Sequence, residues 1–182
     1  MPDYRRARQH GGTFLFTVVT YRRRHIFDQS MGRQILREVV REVRTRYPFK
    51  IDAWVLLPEH MHCIWTLPEE SSDFSIRWNL IKSHFSRRTK SLFHVEGWMN
   101  DSRQKHREVT IWQRRFWEHQ NFDEEEYQVY MDYIHFNPVK HKLVERVVDW
   151  PFSTFHRYVK LGIYPEYWGG GMESHTEHGF GE

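Results

Sequence analysis

Hydrophobic positions along the chain fall into stretches of distinct period. GGTFLFTVVTY, residues 11–21, is rich in β-branched and aromatic side chains and predicts a first strand. Residues 30–47 place Ile35, Leu36, Val39, Val40 and Val43 at helical spacing, and Pro48 supplies the stop. FKIDAWVLL (49–57) and HMHCIWTL (60–67) predict two strands joined as a hairpin through Pro58 and Glu59. Residues 72–93 put Phe74, Trp78, Ile81 and Phe85 on one stripe and predict a second helix. The polar, aperiodic residues 94–110 read as a loop, and IWQRRFWEH (111–119) as a candidate fourth strand. A third helix is expected to begin at Asp123, which makes a capping-box pattern with Glu126. Pro138 disfavours helical geometry at Asn137, so this helix should end or kink there.

The order β-α-β-β-α-β followed by a helix predicts an α+β fold. It is a ferredoxin-like (split βαβ) antiparallel sheet with helices on one face. The expected division is one domain over residues 1–142 and a C-terminal extension, 143–182, that packs on it. The Gly-rich last residues should be flexible.

Composition narrows the classes. The 182 residues contain one cysteine, Cys63, which excludes an intramolecular disulfide and fits a reducing cytoplasm. No stretch approaches the roughly 20 apolar residues of a membrane helix, and the amino terminus lacks the apolar core of a secretion signal. A soluble cytoplasmic protein is expected. The net charge is only +3, but YRRARQH, YRRRH, SRRTK and WQRRFWEH set arginines beside aromatics or histidine. Such clusters suit a phosphate-binding groove, although each taken singly fits a solvated surface.

The sharpest chemical signal is His60-Met61-His62. In a strand the two imidazoles share one face, about 7 Å apart at ~3.3 Å rise per residue, while Met61 points into the other. Such a pair can chelate a divalent ion if a third ligand comes from another element. YMDYIHFNPVKH offers one, because Tyr133 and Asn137 are four apart and share a helix face. Asn137 can offer its carbonyl oxygen and Tyr133 a hydroxyl. Tyr127, Tyr130 and Tyr133 all equally fit packing residues with solvated hydroxyls, and spacing alone does not choose Tyr133 from its neighbours. Asp132 lies about 100° around the helix and is not a candidate base.

LPEHMHCIW and DYIHFNPVKHKLV together, with WQRRFWEH and DWPFSTFHRYV, resemble the REP-associated tyrosine transposases, bacterial relatives of the single-tyrosine HUH transposases of insertion sequences. The resemblance runs from about Tyr4 to Trp168. It implies the HUH nuclease version of the ferredoxin-like sheet, with His60 and His62 as ligands of Mg²⁺ or Mn²⁺ and Tyr133 as nucleophile. Asn137 stands where insertion-sequence relatives place a glutamine as third ligand, one methylene longer. The implied reaction is nicking and strand transfer on single-stranded DNA through a 5′-phosphotyrosine link, with imperfect REP hairpins as substrate. The protein would act in the cytoplasm on the nucleoid, as a monomer or weak homodimer.

DNA contacts are expected from Tyr4, Arg5 and Arg6, from Trp112, Arg114, Arg115, Phe116 and Trp117, and from Lys82. Two rivals stay open on the residues alone. One is a non-catalytic ferredoxin-like module that holds DNA or RNA, and the other a zinc hydrolase with water as nucleophile.

Overall fold

The computed structural model describes residues 11–120 and 123–169. Four strands form one antiparallel sheet: β1 (Thr13–Val19), β2 (Lys50–Leu56), β3 (His60–Thr66) and β4 (Trp117–Gln120). Their spatial order is β2-β3-β1-β4, the split βαβ arrangement expected of the sequence. Helix α1 (Ser30–Arg46) connects β1 to β2, and α2 (Phe74–Phe93) follows β3.

Alternation along the central strands sorts the core into two layers. Phe14, Phe16 and Val18 of β1 and Met61, Cys63 and Trp65 of β3 face α1 and α2. There they meet Leu36, Val39 and Val43, and the Phe74–Trp78–Ile81–Phe85 stripe of α2. Trp65 stacks on Trp78 with centroids 4.2 Å apart. Leu15, Ala53, Val55 and Ile64 face the opposite layer, which is built by α4 (Glu124–Lys140) through Tyr130, Met131, Tyr133 and Ile134. Helices on a single face therefore describe α1 and α2 only. α4 covers the other side because the residues alternating with the first core layer are themselves apolar and need cover.

Three local readings also change. Residues 94–110 contain a short helix, α3 (Asp101–Lys105), capped by the Asn100 side chain on the Arg103 N–H. Of the 111–119 stretch only the last three residues enter strand β4, which runs on to Gln120, because Ile111 and Trp112 turn into the core. The capping box of Asp123 and Glu126 forms as expected, but α4 does not end at Asn137. It runs through Pro138 and closes with Lys142 N–H on Val139 O and Leu143 N–H on Pro138 O, with Lys142 at φ 57°. That is a Schellman closure, and a proline in the last turn forfeits only one ladder hydrogen bond.

Beyond α4, residues 150–154 run along the outer edge of β2. Leu56 N–H donates to Phe152 O, Trp54 N–H to the Thr154 hydroxyl, and Thr154 N–H to Trp54 O. This covers a strand edge that would otherwise be unpaired. Helix α5 (Phe155–Lys160) follows, and Val147, Phe155 and Tyr164 form a third small core against Phe136 and Val139 of α4. The expected looseness of the last residues falls on 170–182, outside the described residues, as do Tyr4, Arg5 and Arg6.

Candidate active site

His60 and His62 both lie on the α4 face of β3 and are fully buried, with Met61 in the opposite core layer. Their Nε2 atoms are 3.1 Å apart. Each ring uses Nδ1 for a fixed partner: His60 Nδ1 donates to Glu59 Oε1 at 2.9 Å, and His62 Nδ1 meets Thr17 Oγ1 at 2.8 Å. A His60 that donates from Nδ1 accepts at Nε2. His62 then donates from Nε2, and its Nδ1 accepts from the Thr17 hydroxyl. Thr17 is the direct cross-strand partner of His62 on β1, so the sheet register itself delivers this contact. Its hydroxyl can reverse from donor to acceptor, which lets either tautomer of His62 be satisfied.

The turn that presents His60 is held on several sides. Thr20 N–H and Oγ1 both donate to Glu59 O, Phe27 N–H donates to Pro58 O, and Leu57 N–H donates to His60 O. Burial would raise the Glu59 carboxyl, but the hydrogen bond from His60, its own backbone N–H and Arg23 together hold it down to about 2. Glu59 is therefore an anionic partner that orients His60.

From the other side, α4 presents a face at spacing i, i+4, i+8. Tyr133 sets its ring edge-on to His62 with centroids 5.3 Å apart, and His141, just past the helix end, sits 5.1 Å from His60. Asn137 lies between them on the same face, fully buried, and neither its Oδ1 nor its Nδ2 has a hydrogen-bond partner. The Lys140 ammonium lies 4.9 Å over the Tyr133 ring. Asp132 points elsewhere, accepting hydrogen bonds from Tyr164 Oη and Gln128 Nε2.

These residues fit a divalent cation. Two nitrogens bound about 2.1 Å from one ion in adjacent positions lie roughly 3 Å apart, close to the observed Nε2 separation. An orphaned buried amide oxygen on the facing helix is a donor awaiting a partner. Among the described residues no three His, Cys, Asp or Glu side chains cluster as a metal site.

The remaining expected DNA contacts separate. Trp117 on β4 pairs with Thr17, which pairs with His62, so Trp117 occupies the same cross-strand row as the site. Arg114 and Arg115 are exposed, Arg114 being paired with Glu108 at 2.6 Å. Trp112 is a correction: it is 5% exposed and packed on Phe27 and Phe85, so it has no face to offer a base. Phe116 is half-buried against Phe16 and Trp78. The Lys82 ammonium donates to the carbonyls of Gln113 and Arg114, which ties down the 113–116 segment, and burial lowers its pKa to about 8. Thr17, Glu59, Lys140 and His141 are the site residues that sequence reasoning missed. His141 was within reach of the helical spacing that found Asn137, whereas Thr17 needs the β1–β3 register.

A ferredoxin-like sheet carrying a paired-histidine strand under a tyrosine-bearing helix defines the HUH class of single-tyrosine proteins. Residues 10–137 match the family described as "Transposase IS200 like". A REP-associated tyrosine transposase of Escherichia coli (strain K12) is 47% identical over 170 residues, which cover 93% of this chain and 92% of that protein. A solved structure of a REP-associated tyrosine transposase bound to a REP hairpin aligns with a TM-score of 0.82 at 43% identity, covering 100% of this chain and 98% of that one. The chain belongs to the IS200-like transposase family.

Proposed function

We propose that this protein nicks and rejoins single-stranded DNA at REP-type hairpins, with Tyr133 as the nucleophile. The observation that carries the reading is the pairing of Tyr133 on α4 with His62 on β3, two groups about seventy residues apart in sequence whose rings stand 5.3 Å apart. The relatives' names and the hairpin-bound structure support the substrate class.

The Tyr133 oxygen attacks phosphorus in line, the bond from phosphorus to the leaving 3′ oxygen breaks, and that oxygen departs as a 3′-hydroxyl. The phosphodiester is conserved as a 5′-phosphotyrosine, so a 3′-hydroxyl can attack it, release the tyrosine and rejoin strands. Tyr133 is buried on a helix fixed to the sheet, which holds its oxygen in one position relative to the histidines. Lys140 puts a positive charge beside the ring that becomes anionic on the return step. His60, His62 and the Asn137 amide oxygen would hold Mg²⁺ or Mn²⁺, which supplies Lewis-acid polarisation of the scissile phosphate. Glu59 and Thr17 orient the two imidazoles. Trp117 and Arg115 are positioned to contact the strand, Trp117 in the row of His62 and Arg115 on the surface two residues before it.

The test is incubation of labelled single-stranded REP hairpin with the protein and Mn²⁺, resolved under denaturing conditions. A protein–DNA adduct and a free 3′ end are expected, and both should vanish when His60 and His62 are changed to Ala. Hairpin binding without cleavage under these conditions would leave a binding module and overturn the enzymatic reading.

A further inference from the structure

Helix α4 carries two polar stripes. Tyr133, Asn137 and His141 form the one beside the histidines. Gln128, Asp132 and His135 form the other, and at 100° per residue His135 lies about 160° around the helix from Tyr133. The second stripe takes no part in the chemistry described above.

It is keyed instead to the C-terminal extension. Tyr164 Oη donates to Asp132 Oδ1, and Gln128 Nε2 donates to the same two oxygens, at 3.2 Å to Tyr164 and 2.8 Å to Asp132. Tyr164 is buried in the third core, so its phenol reaches the helix from a fixed base. His135 Nε2 meets Thr154 Oγ1 at 2.9 Å. That hydroxyl also accepts from Trp54 N–H and donates to Trp54 O, on the edge of β2. Burial keeps the imidazole neutral, and its Nδ1 has no hydrogen-bond partner. The tautomer that leaves an acceptor unsatisfied there, and not a buried N–H, carries its proton on Nε2. His135 therefore donates to Thr154, and the one hydroxyl joins α4 to the sheet edge.

Against the sheet itself, α4 packs through Tyr130, Met131 and Ile134 on Leu15, Ala53, Val55 and Ile64. Apolar packing is non-directional, whereas hydrogen bonds weaken steeply off line, so the second stripe sets the roll of α4 about its own axis. Side chains extend about 5–6 Å from a helix axis, and a roll of about 10° carries a side-chain tip by about 1 Å. A misplacement of that size at a reacting atom can cost about 10²-fold in rate.

Resting on the nicking reading above, we infer that His135 and Tyr164 are positioning residues of the reaction. Through Thr154 and Asp132 they fix the roll of α4, and so aim the Tyr133 oxygen at the scissile phosphate from the side of the helix opposite the chemistry.

The experiment measures the single-turnover rate of adduct formation on labelled REP hairpin in Mn²⁺, at saturating protein, together with hairpin Kd and thermal unfolding. The proteins are the wild type, His135→Leu, His135→Gln and Tyr164→Phe. Leucine removes the donor to Thr154, whereas glutamine can present its Nε2–H there. Tyr164→Phe keeps the packing of the ring and removes one hydroxyl, so it decides the matter where His135→Leu does not fold. The inference expects His135→Leu and Tyr164→Phe to form adduct about 10–100-fold more slowly, with hairpin Kd within about twofold of the wild type. It also expects His135→Gln to recover most of the rate. A role in stability alone would lower the melting temperature while the folded variants kept the wild-type rate, and that result would overturn the inference. So would a rate loss matched by an equal loss of hairpin affinity, or equal rates in His135→Gln and His135→Leu. Absence of adduct from the wild-type protein would instead remove the nicking reading on which the inference rests.

Discussion

Replacing Asn137 with leucine removes a fully buried amide whose oxygen and nitrogen both lack a hydrogen-bond partner. Leaving a buried polar group unsatisfied costs about 1–3 kcal/mol, and leucine fills nearly the same volume without that penalty. In metal-free solution, Asn137→Leu should therefore stabilise the protein by about 2 kcal/mol after some loss of fit. For a chain of this size that is roughly 4–8 °C in melting temperature. The response to metal should run the other way. Mn²⁺ at a hundredfold excess over Kd stabilises the wild-type protein by about 2.7 kcal/mol, and a variant with hundredfold weaker affinity gains less than about 1 kcal/mol at the same concentration. The assay is thermal unfolding of both proteins in EDTA and in titrated Mn²⁺. A variant that melts below the wild type in EDTA would show that the amide is already satisfied. A variant that keeps the full Mn²⁺ shift would show that Asn137 is not a ligand.

Other consequences follow from neighbouring residues. Thr17→Val removes the hydroxyl that fixes His62 Nδ1 and should weaken Mn²⁺ binding 10–100-fold by EPR titration; unchanged affinity would mean that the β1 contact is incidental. Lys142→Gly relieves a left-handed backbone at φ 57° and should raise stability by about 1 kcal/mol in urea unfolding, whereas a loss would contradict the Schellman closure. Burial, aided by the charge of Arg157, lowers the His135 pKa to about 3, so the folded protein keeps this ring neutral where the unfolded chain, near 6.5, takes up a proton. The stability it contributes is present above about pH 6.5 and is lost as pH falls toward 3, amounting to about 2 kcal/mol at pH 5. Metal-free wild-type protein should thus lose about that much more than His135→Gln between pH 8 and 5, and identical losses would refute the assignment.

The legible parts of this molecule are those where local pattern and tertiary role agree. The strand period separated His60 and His62 from Met61, and the helical period found the buried stripes of α1 and α2, since each of these elements buries one face. α4 is different. It buries Tyr130, Met131, Tyr133 and Ile134 against the sheet, and His135 against Thr154, Phe155 and Tyr164 of the extension. With apolar neighbours on two sides its sequence shows no single face, so neither its layer nor the choice among its tyrosines could be read from spacing. Pro138 misled about the helix end because the rule against proline concerns the helix interior, and the last turn has little ladder left to lose. Trp112 misled because an aromatic beside arginines has the same composition whether it stacks on a base or fills a core. Thr17 needed the strand register, which is a property of pairing and not of either strand alone, whereas Glu59 is the sequence neighbour of His60 and is distinguished only by its side-chain contact.

The most direct test of the central claim is to locate the covalent bond. Protein cross-linked to labelled REP hairpin in Mn²⁺ is digested with trypsin and nuclease, and the peptide bearing the residual nucleotide is sequenced by mass spectrometry. The account predicts a phosphotyrosine adduct at Tyr133, absent from Tyr133→Phe although that variant still binds the hairpin. A modification on Tyr127 or Tyr130, or an adduct that persists in Tyr133→Phe, would contradict it.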